Sequence, residues 1–82
     1  RAFGTDAFSV DSLEDTSPVE AESETARAAP IHYSFLSRSI PIYEQLFNVE
    51  DLLDKERMYF VGVPLNIEDG DGMGVRPVVF LY

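Results

Sequence analysis

Apolar residues are unevenly distributed along this chain, and their spacing predicts a small α+β fold that is largely irregular. From Thr16 to Ala29 the one large apolar residue is Val19, and five acids lie between Ser12 and Pro30, a composition typical of segments that stay disordered alone. After Pro30 the density of apolar residues rises sharply. We therefore expect an extended acidic N-terminal arm over residues 1–30, ordered only on a partner, and a small helix-plus-hairpin module over residues 31–82.

The segment that starts at Pro41 has the spacing of amphipathic helix. Pro41 suits the first helical position, where its missing N–H is not needed. Apolar residues then follow at spacings of three and four: Ile42, Tyr43, Leu46 and Phe47. Asn48 and Asp51 match a capping box, in which a cap residue and an acid three positions later satisfy the first N–H groups of a helix. We predict one short kinked helix pair at about 41–57, either two helices with a kink at Asn48 or one bent helix.

Two shorter patterns precede this region. Asp11 or Ser12 can cap a single helical turn through Asp15, because Ser and Asp are favoured caps. Between Ile31 and Phe35, apolar and polar residues alternate, which predicts a short extended segment.

The C-terminal third predicts an antiparallel β-hairpin. Its strands, at about 58–64 and 75–82, are dense in β-branched and aromatic residues. The turn-rich stretch "NIEDGDGMG" lies between them, and its glycines can adopt positive φ freely. Pro64 and Pro77 lack an N–H for a ladder bond, so each strand is an edge strand or ends there. Both faces are apolar, so the helix pair would cover one face and leave the other uncovered.

The chain is strongly acidic, with a formal net charge of −9. Residues 1–30 carry two basic residues against seven acids, and residues 31–82 carry four against eight, giving −5 and −4. Nucleic-acid binding depends mainly on Lys and Arg that neutralise phosphates, so we exclude that class of partner. Basic patches on other protein subunits are the partners that this charge favours. No apolar run approaches the roughly 20 residues of a membrane helix, so we expect at most a peripheral membrane contact.

No motif commits the chain to a chemistry. The chain has no Cys and a single histidine, His32, for which a half-buried or surface position is the simplest interpretation. Glu68, Asp69 and Asp71 resemble a calcium loop, but Phe80 stands where an EF-hand needs a bidentate acid. "GDGMG" is followed by a strand pattern rather than by the helix that a phosphate-binding loop requires. We predict no catalytic residue, no metal ligand and no cofactor.

Aromatic content points to interfaces instead. Six Phe and four Tyr exceed what one helix pair on one hairpin can bury, and aromatic residues are enriched in interface cores. The predicted partner-binding residues are large and apolar: Phe3, Phe8, Val10, Leu13, Tyr33, Phe35, Phe60, Phe80 and Tyr82.

The sequence therefore predicts a non-catalytic accessory or linker subunit that stabilises a larger multi-subunit complex. Two alternatives stay open. One is an acidic binding inhibitor or regulator that occupies a basic groove of its partner. The other is a processed non-catalytic chain of a hetero-oligomeric enzyme, whose catalytic residues lie on another chain.

The first residues, "RAFGTDAF", suggest a compartment. Their Ala2-Phe3 step resembles the cleavage region of plastid-targeting leaders in algae with secondary plastids. That resemblance implies an organelle after leader removal, with a plastid favoured over a mitochondrion. A photosynthetic or respiratory membrane complex, bound at its soluble face, is the host that we expect.

Overall fold

A computed structural model describes residues 1–12 and 28–82 of the chain. They belong to two compact units, Arg1–Glu50 and Asp51–Tyr82. The first unit contains a parallel pair of very short strands and one α-helix, and the second contains an antiparallel hairpin. The described residues are thus broadly α+β, as the sequence predicts.

The first unit is organised by its N-terminal residues. Strand β1 (Phe3–Gly4) pairs in parallel with β2 (Ile42–Tyr43). The Phe3 and Thr5 amides donate to the carbonyls of Pro41 and Tyr43, both at 2.9 Å. In return the Gln45 and Leu46 amides donate to the carbonyls of Ala7 and Thr5, at 3.0 and 3.1 Å. This pairing continues past the two strands, so that residues 3–7 are held along residues 41–46.

The short extended segment predicted between Ile31 and Phe35 is wrong, because helix α1 (Pro30–Leu36) occupies those residues. Pro30 takes the first helical position, where its lack of an N–H is harmless. The helix ends where Ser39 adopts a left-handed φ of 57°. The Ser39 amide donates to Leu36 and the Ile40 amide to Phe35, which is the Schellman arrangement that satisfies the last carbonyls of a helix.

The predicted kinked helix pair at about 41–57 is wrong. That segment contains β2 and, after it, a single 3₁₀ turn, Val49–Leu52. Two residues adopt left-handed backbone conformations that interrupt a helix, Gln45 at φ 57° and Asn48 at φ 59°. The amides that an α-helix would use internally are bonded to residues 5 and 7 instead. Pairing between distant segments has therefore overridden the local helical spacing.

The predicted C-terminal hairpin is confirmed, with shorter strands. β3 (Met58–Val61) pairs with β4 (Val78–Leu81) in antiparallel register. Pro64 and Pro77 lie outside the paired residues, as their missing N–H groups require.

The loop between these strands turns without a glycine at positive φ. The Gly70 amide donates to the Ile67 carbonyl at 3.1 Å, and Asp69, rather than a glycine, has the positive φ of 55°. No glycine in the described residues has a positive φ. Gly72 and Gly74 stand in open space, with no atom within 4 Å of an added Cβ.

Burial is shallow throughout the part of the chain that the structure describes. Across residues 1–12 and 28–82 every residue is exposed or only partly buried, and no side chain is fully enclosed. In the same ranges, no helix has the length and hydrophobicity needed to cross a membrane. Leu13 and the rest of the acidic arm as far as residue 27 lie outside the described residues. The dependence of residues 1–30 on a partner stays a prediction.

Candidate functional site

Asp11 caps helix α1 from a distant part of the chain. Its Oδ1 accepts a hydrogen bond from the Ile31 amide and its Oδ2 accepts one from the His32 amide, both at 2.9 Å. Ala29, the residue before the helix, has no side chain that can do this. The sequence pattern predicts Asp11 or Ser12 as the cap of a turn through Asp15, and that turn lies outside the described residues. In the structure the Asp11 carboxylate caps a helix that starts at Pro30.

The ring of His32 lies between two carboxylates. Its Nδ1 is 2.6 Å from Asp11 Oδ2, and its Nε2 is 3.0 Å from Glu44 Oε1. Glu44 Oε1 also accepts the Val10 amide at 2.9 Å. The Asp11 side chain is 9% exposed, the Glu44 side chain 24% and the ring 31%. We call these three residues the Asp11–His32–Glu44 cluster; it joins the N-terminal segment, helix α1 and the end of β2.

Hydrogen bonds lower the pKa of the Asp11 carboxyl. Partial burial acts to raise the pKa of the Asp11 carboxyl, but the His32 and Ile31 amides and then the His32 ring act against it. The pKa of Asp11 therefore lies below its ordinary value of 3.8. The carboxylate is ionised near neutral pH, as a capping group at a helix N-terminus should be.

The geometry of the cluster suits structural linkage. Each ring nitrogen already faces a carboxylate oxygen, so neither is directed at an open site. Within residues 1–12 and 28–82, no group of three or more His, Asp or Glu side chains is arranged to hold a metal ion. The cluster can tie segments together and can respond to protonation.

Five of the predicted partner-binding residues lie in the first unit. Phe3 and Phe35 stack on each other, with ring centroids 4.9 Å apart and planes at 24°. Phe8 is 66% exposed and Tyr33 is 36% exposed, while Val10 is partly buried and bonded through its amide to Glu44. That a partner binds these residues stays a prediction.

Three more of the nine, Phe60, Phe80 and Tyr82, lie on or next to the hairpin, and Leu13 is outside the described residues. The register places Tyr59 opposite Phe80 and Val61 opposite Val78, so these four side chains share one face, the Tyr59/Phe80 face. Met58, Phe60, Val79 and Leu81 form the opposite face. Tyr59 and Phe80 are 62% and 58% exposed. Tyr82 follows β4, and its ring lies 5.3 Å from the Arg57 guanidinium carbon, a cation–π contact.

Comparison with protein-family models, curated proteins and solved structures gave no match to this chain.

The sequence does not predict the Asp11–His32–Glu44 cluster, because its three members are far apart in the chain. Asp11 and Glu44 look like any other acids in a chain with fifteen. The sequence does contain one signal for a cap from a distant residue. Pro30 favours a helix start, and Ala29 before it has no side chain that can cap that helix.

Proposed function

We propose that this chain is a non-catalytic accessory subunit that stabilises a larger multi-subunit complex and is stabilised by it. The observation that carries the proposal is the shallow burial of residues 1–12 and 28–82, none of which is fully enclosed. Burial of apolar surface is the main favourable term in folding, while ordering the backbone costs roughly 1–2 kcal/mol per residue. Apolar contact with other subunits would supply the missing burial.

The hairpin is the surface through which we place this contact. A two-stranded sheet alone is marginally stable in water, and both faces of this one carry exposed apolar side chains. The Tyr59/Phe80 face presents two exposed aromatic rings, whereas the opposite face has one, Phe60, which is less exposed. Aromatic residues contribute large contact area at interface centres. The proposed occupant is a flat apolar surface of a protein subunit.

The charge of this chain indicates which residues should border the apolar surface of the partner subunit. With a net charge of −9, the chain is attracted to a surface bordered by Lys and Arg. The acidic loop residues Glu68, Asp69 and Asp71 are exposed beside the hairpin in the same unit and would meet such a border. The exposed apolar face favours this proposal over an inhibitor that acts through acids alone. We also propose that the protein is located in an organelle, with a plastid favoured, because the Ala2-Phe3 step resembles the cleavage region of plastid-targeting leaders.

The test uses the full chain, tagged and expressed in the cells that produce it. Separation of the native cell extract by size should show the tagged chain in stoichiometric amounts within an assembly much heavier than the 9.2 kDa of the chain itself. The double variant Tyr59→Thr/Phe80→Thr keeps strand-forming residues but removes both rings. We expect it to associate more than about tenfold more weakly, because truncating one aromatic hot spot costs about 2 kcal/mol.

The matched control is Glu68→Gln/Asp71→Asn, two exposed loop positions in the same unit. It should keep most of the association and lower its dependence on salt. A wild-type chain that migrates as a free monomer would contradict the proposal. So would a double variant that assembles as well as the wild type.

A further inference from the structure

We propose that Asp11, His32 and Glu44 form a pH-sensitive clamp that holds residues 10 and 11 against helix α1 and the residue that follows β2. The inference concerns the first unit alone and does not depend on the proposed function. It starts from the two contacts of one ring, Nδ1 to Asp11 at 2.6 Å and Nε2 to Glu44 at 3.0 Å.

Protonation of the ring decides whether both contacts can be hydrogen bonds. An ionised carboxylate only accepts, so each ring nitrogen must donate a hydrogen to its partner. A neutral imidazole carries one N–H, whereas the imidazolium carries two. The clamp is therefore complete when His32 is protonated and both carboxylates are ionised. Such charge-assisted bonds are stronger than neutral ones.

The two carboxylates that contact the His32 ring also accept hydrogen bonds from backbone amides, so a change in the charge of the ring alters how the backbone is held. Asp11 accepts the amides of Ile31 and His32, and Glu44 accepts the amide of Val10. These contacts join positions 20, 21 and 34 residues apart in the chain. If the ring loses its charge, the remaining donors must hold two carboxylates that repel each other.

No other charge on the described elements makes an ion pair with this ring. Asp11 comes from the N-terminal segment and Glu44 from the residues after β2. On helix α1 and the residues that follow it, Arg38 donates instead to the Ser34 carbonyl at 2.6 Å.

The clamp should weaken in both directions of pH. The pKa of Asp11 is lowered by folding, so its stabilisation is complete above the ordinary value of 3.8 and is lost as the pH falls through the lower folded value. On the alkaline side, one of the two contacts loses its hydrogen when the ring becomes neutral.

The experiment measures solvent exchange of the Val10, Ile31 and His32 amides by NMR, in the full chain, between about pH 5 and 8.5. After correction for intrinsic exchange, protection should fall about tenfold toward the alkaline end, equivalent to about 1.4 kcal/mol. Since His32 is the only histidine, the ring nitrogens give one set of signals that reports their protonation directly.

Two variants separate the clamp from general unfolding. His32→Gln should lower the protection of these amides and remove its alkaline pH dependence. Glu44→Gln supplies a neutral amide that can donate to the ring nitrogen, so the alkaline loss at Ile31 and His32 should shrink. The control Asp6→Asn changes an exposed carboxylate in the same unit and should behave as the wild type. Protection that does not vary with pH in the wild type, or that varies equally in His32→Gln, would overturn the proposal.

Discussion

Ser39 bears a conformational cost at the end of helix α1. Its φ of 57° lies in the left-handed region, which L-residues with a Cβ adopt at a cost of roughly 1–2 kcal/mol and glycine adopts freely. The position after a helix where this conformation recurs is most often glycine. Here a serine holds it, while its amide and that of Ile40 satisfy the last carbonyls.

Replacing this residue should therefore stabilise the first unit. We expect Ser39→Gly to raise the free energy of unfolding by about 0.5–1 kcal/mol. The matched control is Ser37→Gly, two positions earlier, where φ is −64° and glycine has no such advantage. That variant should lower the free energy by about the same amount. Urea denaturation followed through the helix amides measures both, and equal effects of the two substitutions would contradict the assigned backbone geometry.

At the residue scale, the chemistry of Asp11 was predictable but its target was not. Asp is a favoured helix cap, and Pro30 is a residue type favoured at the start of a helix. The two are 19 positions apart in the sequence, and nothing in the local pattern links them. The sequence predicts a half-buried or surface position for His32, and the ring is partly buried, but its two carboxylate contacts depend on chain folding that periodicity does not encode.

At the scale of elements, the segment after Pro41 shows how tertiary pairing overrides helical spacing. Its apolar residues are spaced for a helix, yet Ile42 and Tyr43 pair with the N-terminal strand. The hairpin was predictable because its β-branched residues, its prolines and its turn-rich loop all favour the same structure. The signals for a helix after Pro41, namely the spacing, Pro41 itself and the Asn48–Asp51 capping box, are all local, and pairing with the N-terminal strand overrides them.

The stacked rings of Phe3 and Phe35 join strand β1 to helix α1. Stacked aromatic pairs contribute about 0.5–1.5 kcal/mol beyond the area that they bury. We expect Phe3→Ala to lower the free energy of unfolding of the first unit by about 1–2 kcal/mol. Phe8→Ala removes a ring that is 66% exposed and should change it by less than about 0.5 kcal/mol. Chemical denaturation measures both, and equal effects would show that the stack contributes nothing.

At the scale of the whole molecule, shallow burial predicts weak cooperativity in isolation. The urea m value scales with the surface exposed on unfolding and is about 1–3 kcal/mol/M for small proteins. Since residues 1–12 and 28–82 include no fully enclosed side chain, we expect an m value below about 1 kcal/mol/M for the purified chain. Addition of the host complex should steepen the transition. A steep transition of the isolated chain would mean that it carries a core of its own.

Gly72 offers a place to attach a probe next to the proposed interface without replacing any of the side chains assigned to it. The chain has no cysteine, so a single introduced thiol would be the one site of reaction for a maleimide dye or a photo-crosslinker. Around Gly72 an added Cβ meets no atom within 4 Å, and its φ is not positive, so Gly72→Cys requires no rearrangement. A crosslinker there would lie in the loop that joins the two hairpin strands and would mark whichever subunit the hairpin approaches.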